Sequence, residues 1–217
     1  MTESLVVRED RDGVAALTLN RPGKRNALSR AMRNEVVCRL DELENDDAVQ
    51  VAILTGAGPA FCAGFDRDEL ASGDAAEIFA DAMAYHRSVY TFAKPLLAAV
   101  NGPALGGGCD LAAMCDVRIA ASTAVFGQPQ VRFGAAAVYD LMRAVIGTGP
   151  AREMCLTGRR YDAEEAHAIG LVERVVEPDE LTAVATEIAH EIATLPEGMA
   201  RATKQSFLAG QPPLFTS

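Results

Sequence analysis

The sequence predicts a one-domain α/β protein in which buried strands lead through small-residue turns into helices. Three observations predict this. Short apolar runs at residues 49–55 (VQVAILT) and 95–100 (PLLAAV) have the length and composition of buried strands. Stretches with helical spacing follow such runs, as where Met32, Val36, Val37, Leu40 and Leu43 share one face. No linker, low-complexity segment or charge run divides the 217 residues, and the helical share rises toward the C-terminus.

In chain order, residues 5–7 and 14–19 flank the turn Asp10-Arg11-Asp12-Gly13 and predict an N-terminal hairpin. A polar loop over 20–28 carries two adjacent cations, Lys24 and Arg25, and Ser29 is placed to cap a helix reaching about Asn45. The strand at 49–55 runs into a long loop over 56–66 whose small residues suit close backbone approach. A helix is predicted over 75–92, then the strand at 95–100, then a turn built on Gly106-Gly107-Gly108, with a helix from Leu111. Short strands are expected at 117–120 and 124–126, a helix over 138–145 and a turn at 147–149. Pro150 is placed to start the next helix and Gly158 to end it. Asp162 to Glu165 has capping-box spacing, and Gly170 is placed to close that helix. A brief strand at 175–176 and helices over 179–194 and 198–208 complete the chain, with a frayed end at 211–214.

Thirty acidic against twenty basic residues give a net charge of −10. This argues against a nucleic-acid partner or an anionic membrane surface, while leaving room for a local basic patch facing a phosphorylated ligand. The five cysteines lack C-x-x-C spacing and lie among apolar neighbours, as reduced thiols of a cytoplasmic protein would. The N-terminus has no basic region leading into an apolar stretch, so no signal peptide is expected. No apolar run approaches the ~20 residues of a bilayer span. His86, His167 and His190 are far apart and predict no metal site.

The chemistry is concentrated at residues 101–110 (NGPALGGGCD). Glycines at a strand-to-helix turn bring backbone close to a ligand, and the unpaired amides of a helix start favour negative charge. An N–H of Gly107 or Gly108 can donate to an oxygen that becomes negative during reaction; tight helix-on-strand packing is the alternative use of such glycines. The Ala63-Gly64 loop has the same signature, and two amides converging on one carbonyl oxygen would stabilise an enolate or tetrahedral intermediate. Phosphate-loop, dinucleotide-binding and G-x-S-x-G patterns are absent.

These segments together resemble the enoyl-CoA hydratase/isomerase, or crotonase, superfamily. The carriers are Asn20-Arg21-Pro22, Lys24 to Leu28, Ala60 to Asp66, Lys94-Pro95, Asn101-Gly102 through Gly106-Gly107-Gly108-Cys109-Asp110-Leu111, and Cys115 to Ala120. Phe126-Gly127-Gln128-Pro129, Leu156-Thr157-Gly158 and Gly170-Leu171-Val172 complete a match from about residue 5 to about 208. The resemblance implies the crotonase (ClpP-like) fold of repeated ββα units, with a core over 1–195 and a short helical extension over 196–217. It implies an acyl-CoA thioester substrate, no cofactor beyond the coenzyme A that the substrate carries, and a homo-oligomer, a trimer or hexamer. The oxyanion hole would be the amides of Ala63 and Gly107. Coenzyme A would be held by Lys24, Arg25, Ala27, Ala63, Gly64, Phe65, Asp66 and Gly107, unless Lys24 and Arg25 are simply solvated loop cations.

The chain departs from the hydratases it resembles. They follow Gly-Gly-Gly-Cys and Phe-Gly-Gln-Pro with glutamates; here Asp110 and Gln130 stand there. Two carboxyl groups suit hydration, in which water loses a proton and the α-carbon gains one. Gln130 can orient water but cannot exchange protons, so Asp110 is either the remaining acid/base or a helix cap. Residues 134–141 (GAAAVYDL) lack the proline and paired glycines of relatives, and bring in Asp140, catalytic or a helix cap. An early C-terminus puts the usual acyl-pocket cover and trimer contacts in question. The leading reading is an enoyl-CoA hydratase. The alternatives are a related isomerase, decarboxylase or thioester hydrolase, and a non-catalytic acyl-CoA-binding homologue.

Overall fold

The computed structural model describes residues 4–72, 75–210 and 214–215. The N-terminal hairpin forms as β1 (Val6–Arg11) and β2 (Val14–Leu19), turning at Asp12-Gly13, where both residues have positive φ. Ser29 caps α1 (Arg30–Glu44), its side chain accepting from the Met32 amide at 3.3 Å. Then come β3 (Val51–Gly56), α2 (Arg67–Ser72), α3 (Ala75–Tyr90), β4 (Leu96–Val100), β5 (Ala104–Leu105) and α4 (Gly107–Met114). The second half holds β6 (Val117–Ala121), β7 (Val125–Gly127), α5 (Tyr139–Ile146), α6 (Thr148–Thr157) and β8 (Arg160–Asp162). It closes with α7 (Ala163–Ala168), β9 (Arg174–Val176), α8 (Leu181–Ala193) and α9 (Met199–Gly210).

β1 to β4, β6 and β9 form one sheet in the order β1-β2-β3-β4-β6-β9; the hairpin is antiparallel and the other pairings are parallel. Parallel neighbours need crossovers, which the intervening helices supply. One face carries Leu17, Leu54, Leu96 and Ala98 against Met32, Val36 and Leu40 of α1, Val89 of α3 and Leu111 of α4. The other face packs Val51, Ile53, Leu97 and Ile119 against Leu181, Ala185 and Ala189 of α8. Strands buried on both faces read as continuous apolar runs, which is why 49–55 and 95–100 carry no alternation. A second sheet, β5-β7-β8, sits beside the start of α4 and fixes its approach.

α9 is joined to the core by a buried cation. Lys204 Nζ reaches Asp116 at 2.7 Å and the Lys94 carbonyl at 3.0 Å. Lys94 in turn donates to the carbonyls of Leu43, Asp46 and Val49, tying α1 to β4. The capping box at Asp162 and Glu165 forms as expected, and Gly158 and Gly170 take positive φ at helix ends.

Two local expectations are corrected. No turn separates α5 from α6 beyond Gly147: α6 starts at Thr148, with Pro150 already inside its first turn. α4 starts at Gly107, four residues before the expected Leu111. The reason is packing. A Cβ on Gly108 would lie 2.1 Å from the Cys62 carbonyl oxygen, so only glycine lets the helix begin against the segment that carries Cys62. Gly108→Ala is therefore expected to destabilise at the upper end of the roughly 1–3 kcal/mol typical of overpacking. At ~2–4 °C per kcal/mol for a chain of this size, thermal unfolding should show a drop of several degrees; an unchanged melting temperature would contradict the packing. The frayed end at 211–214 lies, apart from Leu214, outside the described residues.

Candidate active site

The loop after β2 and the loop after β3 form one unit. Asn26, fully buried, accepts from the Arg21 amide and donates to the Ala57 and Ala60 carbonyls. Leu28 N–H donates to Gly64 O at 2.8 Å, and Ala63 N–H donates to Arg25 O at 3.0 Å. On the other side, Cys62 pairs with Ala104 of β5, and a Cβ on Gly64 would lie 3.2 Å from the Gly107 nitrogen. The two glycine-containing segments are thus in direct contact, which their shared signature allowed but their spacing alone did not show.

Which amides are free differs from expectation. Ala63 N–H is taken by Arg25 O, so it is withdrawn as an oxyanion donor. Gly64 has φ +91°, which re-aims the backbone after it. Phe65 lies in a bridge with Leu28 whose bonds use Gly64 O and the Asp66 amide, and the Phe65 N–H has no acceptor among the described residues. Gly107 N–H, first of α4, has none either, as the first amides of a helix lack internal partners. A Cβ on Gly107 would lie 2.7 Å from the Phe65 ring, so the two residues are neighbours. The donor missed in the sequence is Phe65. Its signal is the glycine before it, since Gly64 alone decides which amide turns outward.

Asp110 lies in the first turn of α4 and is only 2% exposed. It caps nothing: the residue before the helix is Gly106 (φ +53°), which makes no side-chain bond. Its Oδ1 instead accepts from Gln128 Nε2 at 2.7 Å, and Gln128 Oε1 accepts from Gln130 Nε2 at 2.5 Å. Gln130 Oε1 is buried and receives no hydrogen bond among the described residues; it faces Gly106, whose Cβ would stand 3.3 Å away. Asp110 Oδ2 lies 3.6 Å from His86 Nε2. A buried carboxyl group, an amide ladder and two open backbone donors therefore meet at one helix start.

The remaining expected residues divide. Ala27 is buried and its carbonyl accepts from Arg21. Asp66 is structural: it pairs with the Arg21 guanidinium and caps α2 through the Asp68 and Glu69 amides. The Arg21 contact, outweighing partial burial, holds the Asp66 carboxyl below the usual carboxylate range. Its stabilisation is therefore complete above the ordinary carboxylate pKa and lost as pH falls through the depressed folded value. Arg21→Ala is expected to make the chain less stable at neutral pH and to flatten its loss of stability in acid. Denaturant unfolding at several pH values checks this, and an acid limb equal to wild type would contradict it. Lys24 forms an exposed pair with Asp68 at 2.9 Å, whereas exposed Arg25 has no side-chain partner among the described residues. Asp140 is not drawn into the network: its side chain is 65% exposed and pairs with Arg143 of the same helix at 3.2 Å.

A cavity of about 260 Å³ lies at the opposite end of α4, lined by Met114, Asp116, Arg118, Leu141 and Phe207. Its Asp116 and Arg118 are already bound to Lys204 and Glu173, so the chemistry stays at the Gly107 end. Among the described residues no group of three or more His, Cys, Asp or Glu could hold a metal ion, and no helix is long and apolar enough to cross a membrane.

Comparison with known proteins fits this arrangement. Residues 9–212 match the family model described as Enoyl-CoA hydratase/isomerase. A probable enoyl-CoA hydratase of Mycobacterium bovis is 43% identical over 207 residues, covering 93% of this chain and 79% of the relative. A short-chain-enoyl-CoA hydratase of Clostridium acetobutylicum is 39% identical over 214 residues, covering 94% and 81%. The crystal structure of an enoyl-CoA hydratase from Bacillus anthracis superposes with a TM-score of 0.92 at 34% identity, covering 98% of this chain and 86% of that one.

Proposed function

Because the chain belongs to the enoyl-CoA hydratase/isomerase family, we propose that it hydrates 2-enoyl-CoA thioesters through a bound enolate. The observation that carries this reading is the pair of open amides on Phe65 and Gly107 beside the buried Asp110. The thioester oxygen accepts from both amides. Preorganised donors of this kind stabilise the negative charge that develops when water adds to the β-carbon, and the α4 dipole adds to them. Asp110 takes the proton from the attacking water and returns a proton to the α-carbon. Gln130 Oε1, which no donor among the described residues reaches, accepts the other water hydrogen and aims the oxygen, while Gln128 holds Asp110 in place.

Arg25, whose guanidinium has no partner among the described residues and lies on the loop that carries Ala27, is the cation best placed for a coenzyme A phosphate; Lys24 first has to leave Asp68. The reaction calls for no cofactor beyond the coenzyme A of the substrate. Exposed Phe133 and Leu156, 71% and 81% accessible, support a homo-oligomer in which a second copy covers them. Cysteines without disulfides among the described residues support a cytoplasmic location. The functional reading is tested by giving the protein crotonyl-CoA and, separately, a malonyl-type CoA ester. The first should gain one water and the second should come back unchanged; loss of CO2 from the second would establish a decarboxylase instead.

A further inference from the structure

His86 projects from α3 into the site and is 3% exposed. Its Nδ1 lies 2.6 Å from the Ala82 carbonyl oxygen. A carbonyl only accepts, so Nδ1 carries the hydrogen and Nε2 of the neutral ring presents a lone pair. That Nε2 makes no hydrogen bond among the described residues, yet it stands 3.6 Å from Asp110 Oδ2. Phe65, Tyr85 and Phe215 surround the ring, with centroids 5.9, 5.4 and 5.2 Å away. Phe215 stacks on it and is held there by Arg87 Nε, which donates to the Phe215 carbonyl at 2.8 Å. Most buried polar side-chain atoms find a partner, whereas the basic nitrogen of this ring is left open at 3.6 Å from the site carboxyl group.

We propose that His86 is the proton-holding partner of Asp110, a positioning residue that acts where the second carboxyl group is missing. This rests on the hydratase reading. When water adds, its oxygen bonds to the β-carbon and one O–H bond breaks, the proton passing to Asp110. The Asp110–His86 pair holds that proton between Oδ2 and Nε2, while the electrons of the double bond move to the thioester oxygen. Collapse of the enolate then takes the proton to the α-carbon, so the pair is restored and nothing else is consumed. Gln130 cannot share in this, because an amide holds no exchangeable charge.

The groups around His86 favour a two-member pair. On its own helix, burial raises the Tyr85 phenol well above its ordinary value. Cys62, on the segment bearing Phe65, is pushed up to about 12 by burial, and Cys109 beside Asp110 is raised by burial as well. These stay neutral. Arg33 of α1 lies behind the Phe65 ring, 5.2 Å from its centroid, and is bound to Glu69 and Asp81.

The test has two arms. In the first, kcat and KM for crotonyl-CoA are measured for wild type and His86→Gln across the pH range in which histidine titrates. We expect kcat to fall ~10-fold or more, KM to stay within about twofold, and the shape of the kcat–pH profile to change. In the second, nitrogen NMR follows the His86 ring in the unmodified chain and in Asp110→Asn. The ring should be protonated at Nδ1, and its Nε2 signal should shift when the Asp110 carboxyl group is replaced by an amide. An unchanged pH profile in His86→Gln, or an Nε2 signal indifferent to Asp110→Asn, overturns the proposal while leaving hydration standing. Failure of wild type to hydrate crotonyl-CoA overturns the functional reading instead. The NMR arm reads the pairing even then, and also if His86→Gln fails to fold.

Discussion

Asp110→Asn should slow crotonyl-CoA hydration by about 10²- to 10⁴-fold, the range that positioned acid/base groups contribute. The substitution is close to isosteric, and the introduced amide would keep an oxygen for Gln128 Nε2, so the ladder to Gln130 survives. What is lost is the capacity to take and return a proton. The fall should therefore appear in kcat with KM little changed, because binding through the loop and the two amides is untouched. Melting should stay near wild type or rise slightly, since a buried charge is removed. A variant that unfolds would show the loss to be structural, and one that keeps most of its rate would remove Asp110 from the mechanism.

Gly64→Ala should be the next most damaging change, at about 10²- to 10³-fold in kcat, comparable with losing an oxyanion donor. Gly64 has φ +91°, and a Cβ there would lie 2.6 Å from the Leu105 carbonyl oxygen and 3.2 Å from the Gly107 nitrogen. Strain and overlap act together, and the backbone that must shift is the one that positions the Phe65 and Gly107 amides. Some stability will go as well, since both effects act on the folded state. The diagnostic result is a kcat loss that persists well below the melting transition. A variant with wild-type kcat would show that the position of these amides does not matter.

Much of the fold was legible because its strongest signals are local. Ser29, Asp162 and Gly158 announce helix ends through side-chain caps and left-handed backbone, and residues 49–55 and 95–100 are apolar because β3 and β4 are covered on both faces. The start of α4 was displaced because helix propensity argues against glycine, whereas here packing on Cys62 demands it. α2 was passed over although Asp66 and Glu69 carry capping-box spacing; the Asp66 side chain does accept from the Glu69 amide. β5 and β8 have two and three residues, too few to show a period.

The site was legible in its residue types and less so in its wiring. Gly107, Asp110 and Gln130 stand together at one helix start, as the family resemblance implied. That Ala63 is closed and Phe65 open depends on one backbone angle at Gly64. That Asp140 faces solvent depends on how α5 is rotated, with Leu141 and Met142 buried and Arg143 beside it. His86 had no sequence signal, because its meaning comes from a carboxyl group on a different helix.

Addition of water across a 2-enoyl thioester, with Asp110 moving the proton, can be followed by incubating crotonyl-CoA with the wild-type chain and with Asp110→Asn in heavy-oxygen, deuterated water. The wild-type product should carry the heavy oxygen on the β-carbon and one deuterium on the α-carbon with the thioester intact, and the variant should form almost none of it. A thioester returned unlabelled by the wild type, or the labelled product formed as fast by Asp110→Asn, would contradict it.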